Sequence, residues 1–482
     1  MRLIHSAALA LAFALTIPAV ALGDPVTVLD GPGATHVRND PFLKTTPEPP
    51  APAVAAPSQT VAANDSRVNL GPSVPATLAK LRDSSAIIAA EYASHIASYN
   101  KALRSRDTLS GTRRQELQSV LNNTDFLASS GRLIASRLPA VFLTLDRNRE
   151  WWTSGTLLHS GDRISFKGSP LIFQYYPGEG VQLQVLANFG RANGLWEGGF
   201  NDSLRELLDD LLPLAAKRGG GIAWEYYFHF GGGRPPWVSG MAQGTAIQAL
   251  SRAAVRLSQP AYLEAAKQAL PLFSVDAPTG VRVRIGDGVH YALYSFAPEY
   301  RVINGFLQAL VGLHDMATIG QSQQALALFE IGDREARREL PNYNTGSWSM
   351  YDQVSESDLA YHELVTGFLT NLCTRTATPL YCSTATAFTR YEHQPPKLAL
   401  ITSHAKPGSA GRLYFRVSKV SRVSMTVQRG KKVFLSTSAK VSGGSHFYTW
   451  KAPAGRGTAT VRMTATDLAG NRYSTTALLP IR

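Results

Sequence analysis

Apolar residues recur at helical spacing through the middle of the chain and switch to strict alternation near its end. From Ala76 to Lys101, the residues Leu81, Ile88, Tyr92, Ile96 and Tyr99 fall near one helical face, and Thr112–Leu138 reads as an antiparallel partner. Trp151–Lys167 is shorter and mixed, with a turn at Ser160-Gly161-Asp162, and reads as a small hairpin. After a break at Pro177-Gly178, a helix carries Val181, Val185 and Phe189 on one side. Ser203–Lys217 follows, with Leu204, Leu207, Leu208 and Leu211 buried, and Gly219–Gly221 stops it. The same sequence of glycine- or aromatic-rich loop and amphipathic helix then returns. One helix follows Gln243, with Ile247, Leu250, Ala254 and Leu257 on a face, and Ala261–Leu270 is its partner. Val302–Ala317 and Ser322–Leu340 make the next pair, and Asp358–Cys373 is a further helix. Hairpins at roughly 50–70 residue spacing predict a mainly α fold, an α/α toroid over residues 65–395 with its loops gathered at one end; an open helical solenoid gives the same pattern.

After Pro395-Pro396 the period becomes two. Arg412–Val417, Val423–Val427 and Thr458–Ala465 alternate, with turns at Arg429-Gly430, Gly443-Gly444 and Asp467–Arg472. Residues 396–482 are therefore expected to form a β-sandwich of about seven short strands, resembling small immunoglobulin-like modules. At the other end, Met1–Gly23 has Arg2 and His5 ahead of an apolar run and small residues suited to cleavage, the pattern of a secretory signal peptide. Residues 24–64 contain PEPPAPAVAAP and read as a disordered or polyproline-like linker. The expectation is an exported protein, secreted or held at the cell surface.

Composition sharpens two points. The formal charge of +13 is not spread evenly. Residues 396–482 hold 15 Lys and Arg against one acid, Asp467, whereas residues 1–395 hold 33 basic and 34 acidic residues. The terminal module should therefore attract polyanionic cell-surface polymers through counterion release. No nucleic-acid motif accompanies the charge, so nucleic acid is not an expected partner. The two cysteines, Cys373 and Cys382, are expected to form one disulfide in an exported chain, with two reduced, buried thiols as the alternative. They are too few for a structural zinc site, and the chain calls for no metal and no cofactor.

Gly231–Arg252 reads GGGRPPWVSGMAQGTAIQALSR, a tight glycine- and proline-rich loop that becomes a helix. Trp237 and Gln243 at that junction suit a saccharide wall, or else a core Trp beside a helix start. The chain lacks a P-loop, a dinucleotide glycine fingerprint, H-E-x-x-H and a G-x-S-x-G elbow. Tyrosines stand out in its loops instead: Tyr291, Tyr294 and Tyr300 before Asn304-Gly305-Phe306, Tyr351 in the turn GSWSMYD, and the pair Tyr361-His362.

Three ordered blocks, PPWVSGMAQGTAIQALSRA, YSFAPEYRVINGFLQALVGLHDM and LPNYNTGSWSMYDQ with YHELV, resemble the C-terminal catalytic domain of D-glucuronyl C5-epimerases. The resemblance covers about Leu195–Cys373 and implies an α/α barrel acting on uronic acid units of an acidic polysaccharide. It implies catalytic tyrosines at Tyr294, Tyr351 and Tyr361. Read from the residues of these blocks themselves, Trp237, Gln243, Arg234, Asn304, Glu299 and His362 are the candidate substrate-binding positions, Glu299 as a stand-in carboxylate. Two positions depart from the family. Leu293 stands where an acidic residue precedes the first tyrosine, and Val354 stands near the place of an arginine. Epimerisation at C5 removes a proton α to a carboxylate and returns one to the other face, so it needs an acid and a base on opposite sides of the ring. Tyrosine is a ready acid and becomes a base when its pKa is lowered. A uronate lyase shares the first step, and a non-catalytic glycan-binding protein on a degenerate epimerase domain is the reading outside enzymology.

Overall fold

The computed structural model describes residues 23–43 and 71–482. The signal-peptide segment, apart from Gly23, and the proline-rich part of the expected linker lie outside the described residues. The linker expectation fails for residues 24–43. Strands β1 (Asp24–Gly31) and β2 (Ala34–Asp40) form an antiparallel hairpin, and β1 runs parallel to β3 (Arg163–Phe166). Val26, Val28 and Leu29 are buried there, an alternation short enough to be hidden beside the prolines that follow. Asp24 pairs with Arg163, and Asp40 accepts from Arg191 Nε at 2.7 Å, which pins both ends of the hairpin. Strands β4 (Phe173–Tyr176) and β5 (Gly180–Leu183) complete a five-stranded sheet, so Val181 is strand, not helix.

Helices α1 (Val74–Asp83), α2 (Ala89–Thr108), α3 (Gly111–Ser129) and α4 (Leu138–Ser154) form the first helical layer. The single helix expected over Ala76–Lys101 is broken at Ser84–Ile88, where Ser85 takes φ 55° and Ile88 is 66% exposed. The hairpin expected over Trp151–Lys167 is instead the end of α4 and strand β3, because Trp151 and Trp152 bury into the hydrophobic core of the helical part from a helical turn.

The remaining helices come in pairs: α5 (Val185–Gly198) with α6 (Asn201–Leu211), α7 (Gly240–Arg256) with α8 (Pro260–Ala269), α9 (Ile303–Thr318) with α10 (Gln323–Glu339), and α11 (Leu359–Thr376) with α12 (Pro379–His393). Helices α5, α7, α9 and α11 pack side by side in that order and form an inner row. Burial follows that placement. Nearly every residue of α7 and α9 is buried, whereas α6 and α10 bury one stripe only. Cys373 and Cys382 form a disulfide that joins α11 to α12. Two short hairpins, β6 (Ala216–Arg218) with β7 (Gly221–Ala223) and β8 (Arg282–Ile285) with β9 (Gly288–Tyr291), sit in the connections ahead of α7 and α9.

The last seven strands are β10 (Leu398–Leu400), β11 (Ala410–Val417), β12 (Ser421–Arg429), β13 (Lys432–Val441), β14 (Gly444–Lys451), β15 (Gly457–Asp467) and β16 (Arg472–Ile481). They make one sheet of order β10-β11-β14 and another of order β13-β12-β15-β16, facing each other over a core of their own that includes Phe415, Met425, Trp450 and Met463. The two parts of the molecule share a buried joint. The Lys419 ammonium, 1% exposed, pairs with Asp467 at 2.5 Å and donates to the Tyr391 and Gln394 carbonyls. Asn471 donates to the Glu392 carbonyl, and Glu356 accepts from the Gly443 N–H.

Candidate active site

Local structure gathers three loops at the N-terminal ends of the inner helices. Ser239 caps α7 by accepting from the Ala242 N–H, which fixes where the loop carrying Trp237 turns into helix. The loop carrying Tyr294 is tied to it by the Gly240 N–H on the Ala292 carbonyl at 2.9 Å and by a two-way bond between Val238 and Ser295. The Ile303 N–H donates to the Tyr351 carbonyl, so the third loop is anchored to the start of α9. Asp352 accepts from the Val354 and Ser355 N–H groups and closes the turn around Tyr351. Asp358 caps α11 by accepting from the Tyr361 N–H at 2.8 Å, which sets Tyr361 in the first helical turn.

These anchors bring Tyr294, Tyr351 and Tyr361 to the wall of one cavity, together with Trp237 and Asn304. The space within it that water-sized molecules can reach is about 90 Å³, several times the roughly 10–15 Å³ one water requires. The rings of Tyr351 and Tyr361 lie 4.7 Å apart between centroids. The Tyr294 and Tyr351 hydroxyls and the Asn304 side-chain oxygen are buried and make no hydrogen bond, and each of these residues is 3% exposed. Buried polar groups are almost always satisfied, and leaving one unpaired costs about 1–3 kcal/mol. All three belong to residues that line the one cavity, where water or a polar ligand can pair with them.

Burial raises the Tyr294 phenol well above its ordinary range, and Tyr351, Tyr361 and Tyr300 nearby add to the effect. Burial likewise raises Tyr351, with Tyr361, Tyr300 and Asp352 adding to it. The Tyr351 hydroxyl has no partner with hydrogen-bond geometry, although Tyr300 lies near enough to perturb its ionisation. Both phenols are therefore protonated acids. No carboxylate or histidine lines the cavity among the described residues, and Arg163 is its cation, already paired with Asp24. Leu293 lines the wall and packs on Gly305, where an added Cβ would come 3.0 Å from its Cδ1.

Other expected site residues go elsewhere. The His362 ring is wholly buried behind the cavity, stacked on Trp348 at 3.7 Å. Its Nδ1 accepts from the Ser349 N–H and hydroxyl, and its Nε2 faces the Phe388 carbonyl at 3.0 Å, so both ring nitrogens are committed to the core. Gln243 bonds the Trp224 backbone N–H and carbonyl and is a core bracket. Glu299 is exposed, and its backbone carbonyl receives Gln353, so its carboxylate does not replace the one missing at Leu293. Arg234 is exposed and lines a different cavity on the far side of Trp237. Val354 is 84% exposed. Trp237 does reach the tyrosine cavity, but its face is not free. Tyr226 stacks on it at 4.2 Å, Phe230 lies at 6.0 Å, and its indole N–H donates to the Phe228 carbonyl.

Sequence reading missed the opposite wall. Tyr176, Gln184, Tyr226 and Arg163 complete the cavity. Gln184 donates to the Tyr176 hydroxyl at 2.8 Å and accepts from that of Tyr226 at 3.2 Å, holding the two phenols as one unit. Tyr176 had a visible signal, since it sits at the Pro177-Gly178 break. Arg163 had none, because it arrives from the strand that pairs with the N-terminal hairpin.

Comparison with known proteins gives the central segment a relationship. Residues 218–390 match the profile of the D-glucuronyl C5-epimerase C-terminus. A D-glucuronyl C5-epimerase of Caenorhabditis elegans is 35% identical over 131 residues, which cover 24% of this chain and 21% of that protein. An uncharacterized protein of Methanocaldococcus jannaschii is 27% identical over 150 residues, covering 30% of this chain and 48% of its own length. The chain thus spans about a fifth and about half of these curated relatives. Among solved structures, a GH76 alpha-mannanase of Bacteroides thetaiotaomicron has a TM-score of 0.31 at 12% identity, covering 43% of this chain and 59% of that one. A cellobiose 2-epimerase of Spirochaeta thermophila has a TM-score of 0.34 at 15% identity, covering 58% and 72%. Such scores carry no assignment of fold. The sequence match and the order of the three loops agree: the segment 218–390 belongs to the family of D-glucuronyl C5-epimerase C-terminal domains.

Proposed function

We propose that the protein is an exported epimerase acting at C5 of hexuronic acid units in an acidic polysaccharide, of the glucuronate-to-iduronate type. The single observation that carries this reading is the convergence on one cavity of Tyr294, Tyr351 and Asn304, whose buried polar atoms bond no other protein group. The family of residues 218–390 supports the same reaction class. In this reading the inner row of helices is part of an α/α toroid, and the terminal sandwich is an immunoglobulin-like module that holds the enzyme to a polyanionic surface.

The chemistry follows from what the cavity holds. A protonated phenol returns a proton to C5 from one face, and a tyrosinate removes the C5 proton from the other. The proton lost equals the proton gained, and nothing is oxidised or reduced. A tyrosinate in a buried cavity needs a cation to stabilise it, and Arg163, already paired with Asp24, is the cation in the lining. The Asn304 oxygen accepts a sugar hydroxyl.

The test is solvent deuterium incorporation at C5 of a glucuronate-containing polysaccharide without chain cleavage. Tyr294→Phe and Tyr351→Phe should lower the exchange by at least about 10²-fold, and their thermal midpoints should change little because neither hydroxyl bonds another protein group. Appearance of an unsaturated, ultraviolet-absorbing product would assign a lyase instead. A second reading, a glycan-binding protein without turnover, is favoured by the lack of a carboxylate in the cavity lining. Binding without C5 exchange on any polyuronate would establish it.

A further inference from the structure

Arg234, set apart from the tyrosines, opens onto a cavity of about 610 Å³ lined by five cationic side chains: Arg132, Arg137, Lys217, Arg218 and Arg234. No Asp or Glu lines it. One carboxylate lies behind the wall. Glu225 accepts from Arg137 at 2.7 and 3.0 Å and from Arg218 at 2.7 Å, and its side chain is 0% exposed. A single carboxylate accounts for one of the five charges, so the site keeps an excess of four. Among the described residues, Arg132, Lys217 and Arg234 have no carboxylate within salt-bridge distance.

The guanidiniums are held in place before any ligand arrives. Arg132 donates to the Pro235 carbonyl at 2.9 Å, and Arg218 donates to the Pro278 and Thr279 carbonyls at 2.7 and 2.6 Å. Fixed, partly desolvated guanidiniums suit planar or tetrahedral oxyanions, and the ordering cost has been met by folding. The cavity also shares a wall with the tyrosine site. Trp237 lines both, and Phe296, which lines the basic cavity, lies 5.5 Å from the Tyr294 ring.

We propose that this basic cavity is a second subsite, binding the carboxylate or sulfate ester of another unit of the acidic polysaccharide whose uronate enters the tyrosine cavity. The proposal rests on the reading of the tyrosine cavity as a uronate site, but its test does not depend on turnover. Arg132, Lys217 and Arg234 are its exposed contacts. Arg137 and Arg218, tied to Glu225, form its fixed base.

The exposed Lys217 amine reports occupancy directly. Acylation of lysines in the full chain would be followed by mass spectrometry with a glucuronate-containing tetrasaccharide, its sulfated form, and neutral chitotetraose. The acidic tetrasaccharides should slow acylation of Lys217 several-fold, and chitotetraose should not. Whichever of the two acidic forms protects at lower concentration identifies the anionic group. Arg234→Gln should raise the concentration for half-protection on the order of tenfold. The proposal is overturned if Lys217 reacts equally fast with and without either acidic tetrasaccharide at about 10 mM, a concentration above a millimolar dissociation constant. Equal protection by chitotetraose would overturn it too. C5 exchange in the same samples separates the two readings. Protection without exchange defeats the epimerase and leaves this subsite, and exchange without protection does the reverse.

Discussion

His362 shows how little a residue's identity says about its direction. Its Nδ1 accepts from a backbone N–H, which forces the neutral form with the proton on Nε2 facing the Phe388 carbonyl. Burial lowers its pKa to about 4, Lys419 pushes in the same direction, and the bond to Phe388 opposes them. Glu392 stands 3.8 Å from Nε2 but does not reverse the direction. The folded pKa lies below the unfolded value, so the unfolded chain takes up the proton first as the solution is acidified. Stability is therefore intact above about pH 6.5 and is lost as pH falls toward 4, by up to about 3 kcal/mol. In urea titrations across that range, His362→Gln should start from a lower stability at pH 7, having lost the Trp348 stack, yet show a shallower fall with acid. Parallel curves for the two proteins would mean that His362 titrates freely in the fold. The tyrosines were legible as a site because they recur in loops ahead of helices. The inward turn of His362 and Gln243 was not, since both follow from partners such as Ser349 and Trp224 that lie 13 and 19 residues away.

Between elements, one contact sets the geometry of the inner row. Helices α7 and α9 cross with backbone against backbone: a Cβ on Gly312 would lie 2.0 Å from the Gly244 carbonyl oxygen, and one on Gly244 would lie 2.6 Å from the Ala309 Cα. No flexible side chain can yield there, so any larger residue must part the helices. Their N-terminal ends carry Met241 and Asn304 into the tyrosine cavity, and a parted pair would spread its floor. Gly312→Ala should cost about 3 kcal/mol in chemical denaturation and weaken uronate binding at the same time. Gly367→Ala in α11 is the control. Its Cβ meets nothing within 4 Å, and the substitution should stabilise by about 1 kcal/mol. Equal effects at the two glycines would discount the crossing. The helical period was readable in the sequence for α7, α9, α10 and α11. It misled where a long apolar pattern hid a turn at Ser85, and where the short alternation Val26–Val28 was read as part of a proline-rich linker. Pairing with β3, about 140 residues downstream, is what made that segment a strand.

Across the whole molecule, the terminal sandwich does two separable things. Its joint with the helices is structural. Lys419 and Asp467 are buried together beneath Trp348, which stacks on His362. That pair uses the one acidic residue of the module and leaves 14 other cations for its surface. Removing residues 396–482 would therefore strip Lys419 and Asn471 from the helical part and confuse lost attachment with lost stability. Substitution on the exposed strands avoids this. Lys431, Lys432, Lys440 and Lys451 are all exposed, and none has a carboxylate partner among the described residues. Replacing these four with Gln should leave the unfolding free energy within about 0.5 kcal/mol for each change. It should also leave C5 exchange on short oligosaccharides unchanged, because none of the four approaches the tyrosine or basic cavities. Retention on a sulfated polysaccharide column should fall. If all four cations contact the polymer, the slope of log affinity against log salt should drop by about 3, since each neutralised anionic group contributes roughly 0.7–0.9. An unchanged slope would remove surface attachment from the role of the sandwich and leave it as the base that holds Trp348 and the Tyr351 loop in place.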